Sequence, residues 1–544
     1  MKKAKSKIGL FNAVMLGIGS IIGSGWLFGS WQASQVAGPA AIISWIIGTV
    51  ITLVIANNYI ELGTMLPENG GISKYAQYSH GSLLGHISSW ANWVSLIVTL
   101  PIEAVTCVQY MSSWPWQWAT FTHHLMSDGK ITFQGLLVVY LFITIFSFVN
   151  YFSVKLLMRF TGLISIFKIA IPLITIIALM LSSFHVGNLG VASGKFMPYG
   201  SAAIFQATTT AGIIFSLNAF QTIINIGSDL KETEVNMKRA VHISLLISAI
   251  IYILLQIAFL TAISPDKIAR VGWVGINFRS PFADLAIIIG LQWLSLLLYI
   301  DAFISPFGTG VSNSASGGRA LAAMVDNEHL PKFIGKIDFK TSIPRNAIIV
   351  NGAVGILMVT FFRSWGALAT VISTLMLIAY LTGPVSVAYL REKAPKMERP
   401  FKSKRVNFFA PLSFALTSLA VYWAMWPTTV EVIAIILIGV PIYLYYEWKK
   451  GWGHIKEQLG GSLWMFVYLI FISVLSYIGS KEFNGIGLIR YPWDFLVVII
   501  GSLAFYAWGV NSGQVTKYFK HAHELNYFKV KMPKIKGRKK NRQK

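Results

Sequence analysis

Apolar runs of about 20 residues recur from one end of this chain to the other, and nothing else in the sequence restricts its fold as strongly. A run of that length spans the hydrocarbon layer of a bilayer as a helix. No water is present there to satisfy peptide groups, so only α-helices and closed β-barrels cross. Barrel strands need only about 9–11 residues, so the longer runs here predict helices. Charge is correspondingly scarce. Of the 544 residues 12% are charged and 55% hydrophobic, against about a quarter charged in a soluble domain. The pattern predicts an all-α integral membrane protein with about fourteen spans, near residues 9–31, 39–65, 87–113, 131–154, 159–183, 203–227, 239–263, 281–309, 345–363, 367–390, 408–426, 429–447, 462–479 and 492–510.

The opening Met1-Lys2-Lys3 before an apolar run resembles a secretory signal. The run is too long for one and many spans follow, so it is expected to stay as the first span. The positions of the charges then set the orientation. With loops alternating sides, eight of the 45 Lys and Arg fall on one side (Lys130, Lys195, Lys267, Arg270, Arg279, Arg363, Lys481 and Arg490), and Lys168 lies inside a span. The remaining 36 fall on the other side. This is the positive-inside bias, and it predicts cytoplasmic N- and C-termini, a cell-membrane location and an even number of spans. The net charge of +24 therefore belongs to cytoplasmic loops and predicts no nucleic-acid partner. Its densest stretch, Lys529 to Lys544, is expected to lie against anionic membrane lipid, an attraction of about 1 kcal/mol per residue near the surface. The single cysteine, Cys107, falls within the third span and reads as packing.

Gly17, Gly19, Gly23 and Gly25 crowd the middle of the first span. Each glycine disfavours a helix interior by about 1 kcal/mol relative to alanine. Gly17 and Gly19 are equally explained by close helix packing, whereas Gly23-Ser24-Gly25 predicts unwinding. An unwound segment frees N–H groups at the start of the following half-helix, which attract a carboxylate. The carbonyls freed on the other side attract a cation or an ammonium. A zwitterionic amino acid suits both ends. Transporters built from inverted repeats carry a second interruption in the matching place. Five spans later, Phe215-Ser216-Leu217-Asn218-Ala219-Phe220-Gln221-Thr222 interrupts an apolar stretch with polar residues. Ser216 and Asn218 are placed to hydrogen-bond backbone that unwinding would free.

Ile22-Gly23-Ser24-Gly25-Trp26, Ala37-Gly38-Pro39-Ala40 with Trp45, Glu61-Leu62-Gly63-Thr64-Met65-Leu66-Pro67 and Gly70-Gly71 resemble motifs of the amino acid–polyamine–organocation permeases. So do Gly318-Arg319 with Met324, Asp326 and Leu330-Pro331, and Leu390-Arg391-Glu392-Lys393 with Arg399-Pro400-Phe401-Lys402. The resemblance covers about residues 8 to 450. Within the family the chain looks most like the bacterial aspartate–proton symporter branch, through Tyr78-Ser79-His80-Gly81, Asp301-Ala302 leading to Ser305-Pro306, and two extra C-terminal spans. The resemblance implies a LeuT-type fold of five spans and five inverted spans, here residues 1–200 and 201–400, with peripheral helices over 401–510 and a basic tail over 511–544. It also implies that the Gly23-Ser24-Gly25 break binds the amino acid's carboxylate; Ile22 and Trp26 beside it, with Phe215, Ser216 and Asn218 of span six, are expected to complete the substrate site. In span six the family's glycine-containing break and acidic-Asn-Pro segment are degraded: Ala219 stands at the glycine and Asp229-Leu230-Lys231-Glu232-Thr233 follows.

Three charges fall inside spans. Lys168 lies about 13 Å from either end of span five, beyond full snorkelling reach, and an intramembrane lysine is costly and usually functional. In proton-coupled members of the family a lysine at the matching place stands where sodium-coupled relatives bind their ion. Lys168 thus reads as the proton-coupling group, or else as a fixed cation bridging carbonyls of span one. Asp301, five residues before Pro306 in span eight, is its expected partner or relay. Glu103 follows Pro101 in an apolar part of span three. It reads as a ligand for a substrate ammonium or guanidinium, as a proton-transfer group, or as a protonated side chain bonded to a neighbouring helix. Glu61 and Arg319, at cytoplasmic helix ends, are expected to hold gates or loops. His123 and His124 lack partners at metal-ligand spacing, and no nucleotide loop or catalytic constellation is present, so neither cofactor, metal nor enzymatic activity is expected. A channel would need a continuous polar stripe over several spans. The function expected is proton-coupled symport of an amino acid, aspartate or another acidic one by the branch resemblance, or a neutral or cationic one contacting Glu103. An exchanger uses the same site, and a non-transporting scaffold or sensor is the remoter alternative. Oligomeric state is left open.

Overall fold

The computed structural model describes residues 8–67, 71–152, 154–327, 329–336, 344–452, 455–514 and 516, without the side chains of residues 73, 152–163 and 228. Met1-Lys2-Lys3, Gly70 and the basic stretch from Lys529 to Lys544 lie outside the described residues. Among the described residues the regular structure is helical apart from a two-residue antiparallel pairing, Met126 with Ile131 and Ser127 with Lys130, and a bridge between Ile8 and Leu230. Among the described residues ten helices are long and apolar enough to cross a membrane, and a bent pair makes an eleventh. Leu10–Ile21, Arg345–Phe361 and Val406–Tyr422 are shorter apolar helices. Each expected span falls on one or two of these, so the all-α, LeuT-type membrane fold stands.

Spans one and six are the interrupted ones. Span one consists of Leu10–Ile21 and Gly25–Ala37, with Ile22, Gly23 and Ser24 outside helix, so Gly25 already begins the second half. Span six breaks earlier than the polar run suggested. Gly200–Thr210 and Ile213–Asn225 meet at 49°, with Gly212 at φ +77°. A left-handed residue is costly for any side chain but not for glycine, so Gly212 supplies the break that Ala219 cannot. The polar run itself contributes only a 3₁₀ turn at Asn218–Phe220.

Span eight also departs from expectation. Pro281–Ile288 is a separate short helix, ended where Gly290 turns at φ +84°. The span proper is Gln292–Asp326, continuous through Pro306. Proline removes the N–H that would bond the carbonyl four residues earlier, here that of Ala302. The thiol of Cys107 fills the vacancy at 3.4 Å, which is the packing role of the lone cysteine.

Span three (Ser82–Met111) is buried along its whole length and span ten (Trp365–Lys393) nearly so; together with spans one, six and eight they form the centre. Spans four, five and twelve to fourteen turn apolar side chains outward, among them Leu141, Ile177, Ile438, Ile470 and Ile500, as helices facing lipid do. The last spans are fastened by the segment before span three. His80 Nε2 lies 2.8 Å from the Gly509 carbonyl, its Nδ1 lies 2.7 Å from Ser79 Oγ, and Ser79 Oγ lies 2.8 Å from Ser386 Oγ of span ten. Tyr78-Ser79-His80-Gly81 and the extra spans thus belong together physically.

Candidate substrate site

A continuous helix through span one would bond Gly19 O to Gly23 N–H, Ser20 O to Ser24 N–H and Ile21 O to Gly25 N–H. The interruption releases all three pairs, and other spans take up part of what is freed. The Lys168 ammonium of span five donates to Gly19 O at 2.9 Å. Tyr252 of span seven donates its hydroxyl to Ile21 O at 3.1 Å. Ser24 N–H donates to Glu103 Oε1 of span three at 3.3 Å, and Ser24 Oγ accepts the Trp365 indole N–H of span ten at 3.2 Å.

The glycines differ in purpose. A Cβ at Gly17 would lie 2.7 Å from Ile223 and Ser244, and one at Gly19 2.6 Å from Ser165 Oγ; both are packing glycines. A Cβ at Gly23 would lie 3.0 Å from Glu103 Oε1 and 3.2 Å from Thr309 Oγ1. One at Gly25 would collide with Ser216 Oγ, so the second half of span one packs directly on span six.

Lys168 also donates to Thr309 Oγ1 of span eight at 2.6 Å. It does not pair with Asp301: among the described residues no ion pair joins them, although they are electrostatic neighbours. Asp301 Oδ1 accepts from Ser305 Oγ at 2.8 Å, and Oδ2 has no hydrogen-bond partner. In place of direct pairing with Asp301, the ammonium donates to two neutral oxygens, Gly19 O and Thr309 Oγ1. Trp26 is buried beside Asp301, its ring 5.7 Å from that of Phe282, and Ile22 is fully buried.

A cavity of about 590 Å³ runs from the break, where Gly23, Gly25, Glu103, Phe215, Ser216, Asn218 and Thr309 line it, to Lys74, Asp229, Arg319 and Asp326 at the loop ends. On the other side of the break aromatic rings pack together. Phe28 stacks on Trp365 at 5.2 Å and meets Tyr110 edge-on at 5.5 Å, and Trp365 meets Phe215 edge-on at 5.9 Å. The site is therefore open toward one face and walled toward the other. Asn218 accepts a short hydrogen bond from the Tyr380 hydroxyl, and Ser216 Oγ donates to Gly212 O at 2.8 Å.

Several lining residues escaped the sequence reading. Thr309, Asn313 and Ser316 of span eight, Asn92 and Thr99 of span three, and Gln221 and Asn225 of span six all face the cavity. Their signal was polar residues at helical spacing on otherwise apolar spans, which on span six continues the polar run already read. Glu61 lies outside the cavity. It accepts two hydrogen bonds from Arg391 at 2.7 and 2.6 Å and one from Ser403 N–H at 2.9 Å, with Arg399 Nε 3.7 Å away. It clamps the loop after span ten, whereas Arg319 lines the cavity.

Residues 8–445 match the family described as Amino acid permease. The chain is 45% identical over 526 residues to the glutamate/serine transporter AimA of Bacillus subtilis strain 168, covering 97% of each chain. It is 34% identical over 513 residues to the aspartate-proton symporter of the same organism, covering 94% of this chain and 97% of the relative. It is 25% identical over 469 residues to the human large neutral amino acids transporter small subunit 2, covering 82% of each. With a family match over most of its length and two relatives above 30% identity across nearly the whole of it, this multi-pass membrane protein belongs to the amino acid permease family.

Proposed function

We propose that the protein is a proton-coupled symporter that carries an amino acid across the cell membrane by alternating access, with its N- and C-termini cytoplasmic. The observation that carries the reading is the interruption at Ile22–Ser24, whose freed backbone groups face a cavity beside Lys168 and Glu103. In this reading Ile22, Gly23, Ser24, Gly25 and Trp26 recognise the amino-acid backbone, Phe215, Ser216 and Asn218 meet the rest of the substrate, and Glu103 is the proton-transfer group beside the break. Lys168 ties proton state to the first half-helix through Gly19 O, with Asp301 as its relay. Spans one to five and six to ten form the two repeats, residues 1–200 and 201–400. On the orientation drawn from the charges, the open end of the cavity is cytoplasmic and the aromatic layer closes the outside.

Glutamate, aspartate and serine are the first substrates to try, because two relatives are named for them. The test is uptake of each, radiolabelled, into liposomes holding the purified full-length chain under an imposed pH gradient. Accumulation that collapses with a protonophore is expected. Exchange only against internal amino acid, indifferent to the gradient, would replace symport by antiport. A flat response across all amino acids in both formats would leave a scaffold or sensor.

A further inference from the structure

From the geometry of span three we infer that Glu103 is a tethered competitor for the substrate's carboxylate. Its own carboxylate holds the start of the second half-helix while the site is empty, and the amino acid binds there once Glu103 has taken up a proton and withdrawn. This deepens the transport reading above and rests on it: Glu103 takes the proton as the substrate binds, and its electrostatic neighbour Lys168 passes that change of charge to the first half-helix through Gly19 O.

The start of Gly25–Ala37 is where a carboxylate is drawn, through free N–H groups and the helix dipole. That place is already taken. Glu103 Oε1 accepts from Ser24 N–H at 3.3 Å, and the same oxygen would stand 3.0 Å from a Cβ at Gly23. An N–H···O contact of this length is weaker than the usual ~2.9–3.0 Å bond, as suits a ligand meant to leave. Two carboxylates sharing one buried site repel, and one must be neutral or depart. Glu103 offers a place for the proton: it is fully buried within the protein, lines the cavity, and its Oε2 has no hydrogen-bond partner.

The surroundings decide that Glu103 stays free to exchange. Its titratable neighbours are Lys168 on span five, Asp301 on span eight, Tyr252 on span seven and Cys107 on its own span. Lys168 is committed to Gly19 O and Thr309 Oγ1, Tyr252 to Ile21 O, Asp301 to Ser305 and Cys107 to Ala302 O. None of them holds the Glu103 carboxylate. The proton balance follows directly. One proton adds to the Glu103 carboxylate to give the neutral acid, one substrate carboxylate replaces it at Ser24 N–H, and both leave together. A zwitterion then carries one net positive charge inward, and an amino acid with an ionised acidic side chain moves without net charge.

The test is binding of glutamate, aspartate and serine to the purified full-length chain between pH 5.5 and 8.5, with an indicator dye following protons in weak buffer. In the native protein the apparent Kd is expected to rise with pH toward about tenfold per unit, and binding should take up a proton. Glu103→Gln should bind equally well across the range and take up none. Glu103→Asp, which keeps the acid but shortens its reach, should retain proton uptake and bind more tightly at alkaline pH; it also serves if the glutamine variant does not fold. An unchanged pH slope and proton uptake in Glu103→Gln would overturn the inference and leave coupling to Lys168 and Asp301. Loss of binding at every pH in Glu103→Gln, with proton uptake lost in Glu103→Asp, would also overturn it and make Glu103 a direct substrate ligand. No binding of any amino acid by the native protein would remove the transport reading itself.

Discussion

In span one the interruption releases Gly19 O, Ile21 O and Ser24 N–H, and Lys168, Tyr252 and Glu103 take them up from three other spans. In span six the interruption releases Thr210 O, and a neutral hydroxyl, that of Thr370, bonds it at 3.2 Å. Beside it a Cβ at Gly212 would meet the Trp365 ring at 2.6 Å. The first break is held by two ionisable groups, Lys168 and Glu103, with the Tyr252 hydroxyl beside them; the second is held by backbone conformation and aromatic packing. Breaks of the first kind respond to protonation and to a charged ligand. Those of the second kind set shape. On the proposed reading, the two half-sites divide recognition of the amino-acid backbone from selection of its side chain.

The strongest way to break that division is Gly25→Ala, because the added methyl collides with Ser216 Oγ where the two interrupted spans touch. Uptake is expected to fall by more than about 10²-fold, the scale on which small misplacements of site groups act. Gly25→Ala combined with Ser216→Ala removes the nearest atom and should recover part of it. Full activity in the single variant would show that the spans do not need this contact.

Lys168→Ala comes next. It leaves Gly19 O and Thr309 Oγ1 without their donor, and buried groups left unpaired cost about 1–3 kcal/mol each. Uptake driven by a pH gradient should drop to background, with a lower midpoint of thermal unfolding in detergent. Asp301→Asn separates relay from bystander. Loss of gradient-driven uptake is expected if Asp301 passes the proton to Lys168; uptake preserved in Asp301→Asn and lost in Lys168→Ala would dismiss the relay.

The sequence disclosed the two breaks unequally, for physical reasons. Four glycines within nine residues of span one announce a helix that cannot persist, and Lys168 stands out because a charge in an apolar run is costly. Gly212 was hidden: a lone glycine is tolerated in many spans, and the polar run from Ser216 to Thr222 drew the break toward itself. Of the two partners of Lys168, a carbonyl of span one was among the readings, whereas Thr309 did not stand out among the small polar residues of span eight. Asp301 attracted the assignment because an opposite charge is the most conspicuous partner for an intramembrane lysine, more so than the Thr309 hydroxyl that Lys168 meets. Span eight was started too early because Pro281–Ile288 is as apolar as the span it precedes, and only Ile289-Gly290-Leu291 separates them.

On the span-six side, Gly212→Ala should act on stability before it acts on transport. Its φ of +77° puts a side chain in the left-handed region, a penalty of about 1–2 kcal/mol, to which the crowding against Trp365 adds. The expected result is a midpoint of unfolding lowered by a few degrees, with Lys168-dependent proton coupling intact in the folded fraction. If coupling failed while stability held, the second break would be electrostatically loaded like the first, and the contrast between them would be lost.

The smallest effect, and the most specific, belongs to Tyr380→Phe. Tyr380 donates its hydroxyl to Asn218, a cavity-lining residue in the 3₁₀ turn of span six. Removing the oxygen leaves Asn218 Oδ1 short of a donor but adds no bulk, so the expected change is about 1 kcal/mol, or roughly fivefold in apparent affinity. Because Asn218 faces the side-chain end of the site in this scheme, the change should differ among glutamate, aspartate and serine and leave the pH slope of binding alone. Competition assays with the three amino acids at two pH values read both quantities. An equal loss for all three would move Asn218 to the backbone end of the site, and a changed pH slope would join span six to the charges of span one.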